Sequence, residues 1–110
     1  MIARLVQVTT KPGQLQDFIK AMAEHNFLIL KQQSGFVDAV VLTSDTQRDQ
    51  IVSIAIWRSK EDAEKYATGQ GRYVLEAMTP LFQKMPTIRT FKLAASTAYN
   101  IGIAQAVSSS

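Results

Sequence analysis

The sequence predicts an α+β domain of the ferredoxin-like kind, with elements in the order β-α-β-β-α-β. Three observations lead there. Four short runs rich in β-branched residues lie at Ile2 to Thr10, Phe36 to Thr43, Ile51 to Trp57 and Thr87 to Thr97. Two intervening regions space their apolar residues at three and four, the period of a helix with one buried stripe. Proline, glycine and serine clusters fall at the junctions. Such an order gives a four-stranded antiparallel sheet with both helices on one face. At 110 residues and 46% apolar composition, one core is expected. Neither a repeat nor a linker divides the chain, so residues 1–97 read as the domain and 98–110 as an apolar, irregular tail with a Ser-Ser-Ser end.

The first strand ends at Lys11-Pro12-Gly13, which stops a strand and opens a helix. From Gln14 the stripe Leu15, Phe18, Ile19, Met22, Ala23 predicts a helix running to about Gln33, where Ser34-Gly35 breaks it. Ser44 to Gln50 suits an irregular hairpin between two antiparallel strands. Ser59 can cap the second helix by accepting the backbone N–H of Asp62, and Asp62 can close a weak capping box. Gly69 and Gly71 interrupt that helix, and Thr79-Pro80 stops it or restarts it as a short turn.

Strand alternation puts Val52, Ile54 and Ile56 on one side of the third strand and Ser53, Ala55 and Trp57 on the other. In the second strand, Val37, Ala39 and Val41 oppose Phe36, Val40 and Leu42. Neither face is polar, yet helices cover only one. Exposing a whole aliphatic face would forfeit several kcal/mol at about 25 cal/mol per Å² and invite aggregation. A homodimer that packs sheet to sheet is the expected cover, with a folded-back tail as the alternative.

Composition excludes several classes of activity. Without cysteine there is no disulfide, thiolate nucleophile or Cys-based zinc site. The lone histidine, His25, sits in no ligand spacing, so no metal is expected. The net charge of +3 is spread among alternating acids, which argues against nucleic acid. The longest apolar run is Phe27 to Leu30, too short to span a membrane, and no basic and apolar leader is visible, so a soluble, cytoplasmic protein is expected.

His25 and Asn26 continue the buried stripe of the first helix, where a polar pair needs hydrogen bonds or a solvated cavity. Alternatively the stripe drifts, Phe27 and Leu30 take over the core, and both polar residues stand at its edge. Trp57 lies beside two small residues, Ser53 and Ala55, which leaves volume for a cavity bounded by Phe18, Met22, Tyr66, Tyr73 and Met78, into which the indole N–H could donate. These aromatic and methionine side chains serve equally well as plain core. No nucleophile-base-acid set can be assembled, and the carboxylates lie on polar faces.

Three stretches carry a family resemblance: Lys11-Pro12-Gly13 opening the first helix, Gln33-Ser34-Gly35-Phe36 opening the second strand, and Ile54 to Ala63, reading IAIWRSKEDA. Over roughly residues 2–95 the chain resembles the antibiotic biosynthesis monooxygenase (ABM) domain family, small dimeric α/β barrels. The resemblance implies a pocket between sheet and helices, and in some members oxidation of an aromatic or quinol-like substrate by O2 without flavin or metal. There the deprotonated substrate supplies the electron, and the protein orients it and excludes water. Trp57 carries over by motif match. His25, as base or polar anchor, is an inference from the helix stripe. The haem-degrading branch uses an asparagine on strand one and a histidine on helix two; this chain has Ile2-Ala3-Arg4-Leu5-Val6-Gln7-Val8 and no histidine there.

The expectation is thus a cofactor-independent monooxygenase, a homodimer taking a small molecule and O2, with His25 and Trp57 catalytic and Phe18, Met22, Asn26, Tyr66, Tyr73 and Met78 binding substrate. The alternative is a non-catalytic small-molecule-binding or stress-related dimer of the same fold. One cavity touching both His25 and Trp57 favours the first, and a filled core with His25 bonded to a surface carboxylate favours the second.

Overall fold

A computed structural model describes residues 1–99 and residue 101. Its elements are β1 (Ile2–Thr9), α1 (Leu15–Ala21), a π-helical turn (Met22–Asn26), α2 (Phe27–Lys31), β2 (Phe36–Thr43), β3 (Gln50–Trp57), α3 (Lys60–Thr68), α4 (Gln70–Met78), a 3-10 turn (Thr79–Leu81) and β4 (Thr87–Lys92). The strands form one sheet in the order β2-β3-β1-β4. Every neighbouring pair is antiparallel. This is the ferredoxin-like arrangement that the element order predicts. None of the helices among the described residues is long and apolar enough to cross a membrane.

Register assigns the faces. Val8 pairs with Ile51, Val6 with Ser53, Arg4 with Ala55 and Ile2 with Trp57, and this set faces the helices. The opposite face carries Leu5, Val52, Ile54 and Ile56, joined by Val40 and Leu42 from β2 and Phe91 from β4. Val40 is 43%, Leu42 50% and Phe91 48% exposed, so this apolar face lies largely open in the single chain. One assignment needs correcting. A register shift between Phe36 and Asp38 turns Phe36 toward the helices, opposite Trp57, while Asp38, Val40 and Leu42 share the outer face. An extra residue in one strand reverses the alternation that strict period-two reading assumes.

The first helix departs from a regular α-helix. Phe27 N–H donates to the carbonyl of Met22, five residues back. Its buried residues Phe18, Met22, Asn26 and Leu30 recur every four positions. At 3.6 residues per turn each such step overshoots by about 40°, and three steps would carry the stripe a third of the way around. A wider π turn absorbs that drift, keeping Asn26 inside and leaving His25 exposed. The helix stops at Lys31 rather than Gln33, with the Gln33 side chain donating back to the Ile29 carbonyl at 3.1 Å.

Ser59 caps α3 as expected: its hydroxyl accepts the Asp62 N–H at 3.1 Å and donates to the Asp62 carboxylate at 2.9 Å. Gly69 separates α3 from α4. After the 3-10 turn, Lys11 N–H bonds the Leu81 carbonyl and Gln83 N–H bonds the Thr9 carbonyl, both at 2.8 Å, fastening this segment to the end of β1. β4 ends at Lys92, five residues short of the expected Thr97. There Leu93 N–H meets the Met1 carbonyl and the ladder runs out. Beyond it, the Tyr99 hydroxyl donates to the Asp38 carboxylate on β2 at 2.5 Å, so the start of the tail reaches the opposite sheet edge. Asn100 and residues 102–110 of the expected tail lie outside the described residues.

Gly35 joins α2 to β2 with φ of +79°, and a Cβ there would fall 2.1 Å from the Asp62 carboxylate. Asp62 cannot readily retreat, because Ser59 holds it. Gly35→Ala is therefore expected to lower stability by at least about 1–2 kcal/mol, the left-handed backbone penalty alone. A fall in the urea midpoint checks this.

Candidate functional site

The buried core is divided. One cluster comprises Val8, Phe18, Met22, Ile51, Met78 and Phe82, and the other Leu30, Trp57, Ala63 and Tyr66. Between them lies a cavity of about 70 Å³, walled mostly by apolar side chains of both clusters. Four polar side chains enter it: Arg4, Asn26, Ser53 and Tyr66. The Tyr66 hydroxyl donates to Asn26 Oδ1 at 2.8 Å, and Asn26 Nδ2 reaches the Met22 sulfur at 3.3 Å. The π turn thus supplies an acceptor to a tyrosine 40 residues away in sequence.

Gly71 allows this placement of Tyr66. A Cβ at Gly71 would lie 2.7 Å from Tyr66 Cε1 and 2.9 Å from the Tyr66 carbonyl oxygen, so a side chain there would push the ring out of this position. Below the ring lies Trp57, fully buried, with ring centroids 5.2 Å apart, and Phe36 meets the indole edge-on at 5.6 Å. Trp57 lines neither this cavity nor the groove described next, and its indole N–H is buried with no acceptor among the described residues. Ser53 and Ala55 do leave space, as their size suggests, but the indole supports Tyr66 from beneath it.

A second depression of about 390 Å³ opens on the helical side, lined by His25, Gln70, Tyr73, Ile29, Ala77 and neighbours. It shares Asn26, Val74 and Met78 with the inner cavity, so those three side chains are the partition between the two. The expected site residues are accordingly split. Phe18, Met22, Asn26, Tyr66 and Met78 meet in the inner cavity, whereas His25 and the 66%-exposed Tyr73 stand in the outer groove. Neither of these two cavities touches both His25 and Trp57, and no carboxylate among the described residues pairs with His25.

Arg4 was not among the residues singled out from the sequence. It occupies an inward position of β1, between Ile2 and Val6, and no carboxylate among the described residues pairs with it. Burial lowers its pKa from the ordinary arginine value, with the neighbouring Tyr66 pulling the other way. Burial likewise raises the Tyr66 pKa, opposed by the Arg4 charge and by the hydrogen bond to Asn26. An inward charge in an otherwise aliphatic strand is a signal the sequence did contain, because period two places Arg4 with Val6 and Val8.

The family model described as antibiotic biosynthesis monooxygenase matches residues 1–87. The chain belongs to this family. Solved structures agree in fold. A cofactor-independent oxygenase from Streptomyces nogalater, SnoaB, is similar at 18% identity with a TM-score of 0.73, covering 87% of this chain and 95% of its own. A Nitrosomonas europaea protein of unknown function gives 20% identity and a TM-score of 0.76, covering 87% and 91%. A conserved protein from Methanosarcina mazei gives 13% and 0.71, covering 84% and 92%. No curated protein matches the sequence significantly. The cavity of this ABM chain lies within the matched residues, since its lining runs from Arg4 to Phe82.

Tyr66→Phe leaves the buried Asn26 oxygen without its donor and is expected to cost about 1–3 kcal/mol, most of it recovered when Asn26→Leu is added. Denaturant unfolding of the two variants measures both effects. Because the folded hydroxyl titrates above its unfolded value near 10.0, its contribution is complete below that pH. It disappears as pH rises through the raised value, so the wild type should lose its advantage over Tyr66→Phe in strong alkali.

Proposed function

We propose that the chain is a cofactor-independent monooxygenase for a small aromatic or quinol-like substrate, bound in the inner cavity and reached through the outer groove. The observation that carries this reading is an apolar cavity crossed by one polar seam, Arg4, Tyr66 and Asn26. Such a site excludes water while still orienting a ring that bears oxygen. Membership of the ABM family and the fold shared with an oxygenase support it.

The chemistry balances without a further reductant. An activated CH2 flanking the substrate's aromatic rings loses a proton, and the resulting carbanion passes an electron to O2. Recombination forms a C–O bond, and the hydroperoxide loses water to leave a carbonyl. One oxygen atom stays in the product and the other leaves as water with the two substrate hydrogens. In this reading Phe18, Met22 and Met78 surround the ring, and Tyr66 and Asn26 hydrogen-bond its oxygen. Trp57 holds Tyr66 in place. His25 and Tyr73 line the approach beyond the partition, and the imidazole takes the proton toward solvent once binding has displaced that partition. At about 70 Å³ the resting cavity holds only a few waters, so binding displaces the partition. Met78 suits that task, because methionine is flexible and repacks at little cost.

A second reading keeps the fold without the chemistry, as a non-catalytic binding dimer. Its support is the sealed position of Trp57, the residue matched by motif, away from both cavities. In either case we propose a homodimer that buries the open sheet face of Val40, Leu42 and Phe91.

Oxygen uptake with a panel of anthrones and quinols in chelator-treated buffer separates the readings. Substrate-dependent uptake is expected. A panel that binds without consuming oxygen leaves only the binding role. Sedimentation should give a dimer at micromolar concentration, and Val40→Glu with Leu42→Glu should yield folded monomers. A wild-type monomer would refute the dimer.

A further inference from the structure

We propose that Arg4 is the anion-binding residue of the inner cavity, so that the natural ligand is an aromatic molecule bearing an oxyanion, either a carboxylate or an ionised phenol or enol, seated against the guanidinium. The inference rests on the reading of this cavity as the ligand site, but not on the oxidation.

Three observations support it. First, strand register fixes Arg4 inward: Ala55 of β3 and Thr90 of β4 are its cross-strand partners, and neither offers a negative charge. Second, none of the other residues lining its cavity is acidic; the helices contribute only the polar groups of Asn26 and Tyr66 among apolar side chains. Among the described residues the Arg4 guanidinium has no ion pair and no hydrogen bond. Third, a partly buried charge without a partner is unfavourable by itself, and buried charges in folded proteins are normally paired. An anionic ligand completes the pairing. Guanidinium suits it, since its planar fork meets a carboxylate through two parallel hydrogen bonds and stacks on aromatic faces. Tyr66 lines the same cavity as Arg4, so its hydroxyl can turn from Asn26 to the same oxyanion.

The probes are 1-naphthoate as the carboxylate, 2-naphthol as a phenol ionisable in the site, and 1-naphthalenemethanol as the neutral ring of similar size. They are titrated by calorimetry against the full chain under nitrogen, so no turnover enters the measurement. The expected result is binding of naphthoate, naphthol or both at least about tenfold tighter than the neutral compound, the factor that 1.4 kcal/mol supplies. Naphthoate alone identifies a carboxylate ligand, and naphthol alone an ionised phenol or enol. Arg4→Met should abolish the preference, and Arg4→Lys should retain part of it. A second readout needs no ligand: Arg4→Met should melt at the same or a higher temperature than wild type, since an unpaired charge is removed. Equal affinity for all three probes, or a preference that survives Arg4→Met, overturns the proposal. So does a lower melting point for Arg4→Met together with an unchanged preference in Arg4→Lys. Anion-selective binding without oxygen uptake would sink the oxygenase reading and leave Arg4 as the anchor. Uptake with no anion preference would do the reverse.

Discussion

The hydrogen bond from Tyr66 to Asn26 is the constraint around which the helical layer is arranged. It joins the π turn to α3 across the middle of the core. An amide buried among methionine, leucine and tyrosine is unfavourable unless its oxygen is satisfied. The partner must therefore arrive at one place, and several local features exist so that it can. The π turn keeps Asn26 on the same line as Met22 and Leu30. The break at Gly69 lets α4 change direction, and the missing side chain at Gly71 clears room for the tyrosine ring. Trp57 supports that ring from the sheet. Each of these would be an unexplained irregularity alone, and together they hold one hydroxyl next to one arginine.

Because that seam is polar, the two apolar clusters cannot merge. A core made of one continuous set of side chains would fill the gap at native density, as protein interiors normally do. Here Ser53 and Ala55 are too small to close it from the sheet, and Arg4 and Asn26 do not interdigitate with leucine or phenylalanine as apolar groups would. The cavity is thus a consequence of composition along one stripe of sheet and one stripe of helix. Its small volume follows from the flexible methionines at its rim. Met22 and Met78 line it, and unbranched thioether side chains of this kind fill irregular gaps readily.

Much of this architecture was legible in the sequence, and the side chains assigned to the wrong face share one cause. Strand order, the cap at Ser59, the break at Gly69 and the stop at Gly35 depend on local chemistry, which a sequence displays directly. The inward turn of Phe36 and the outward turn of His25 do not. Both follow from a single added residue, a bulge in β2 and a π turn in the first helix, and either shifts the phase of everything counted from it. A reading at fixed period puts His25 and Asn26 together on the buried face. In the fold only Asn26 is there, at 7% exposure, because Tyr66 fixes the phase from a distance. Trp57 was placed on the correct face, but its role could not be read, since the ring that covers it comes from another element. The same limit hid Arg4. Its inward position follows from alternation alone, whereas its lack of a partner is visible only once the neighbouring strands and helices are in place.

The open sheet face and the arginine illustrate opposite uses of an unfavourable exposure. Val40, Leu42 and Phe91 lie against water, and in the proposed homodimer a second copy of the chain would remove that cost. Arg4 is partly withdrawn from water on the cavity side of β1, and no carboxylate among the described residues offsets that cost. Stability favours an aliphatic residue at that position on β1, and its neighbours Ile2, Val6 and Val8 are of that kind. A charge kept against that preference destabilises the empty cavity selectively, and a ligand of opposite sign then gains by pairing what folding left unpaired. The seam is preorganised for a negative oxygen rather than built around one after it arrives, which is the general way a rigid site converts folding free energy into selectivity.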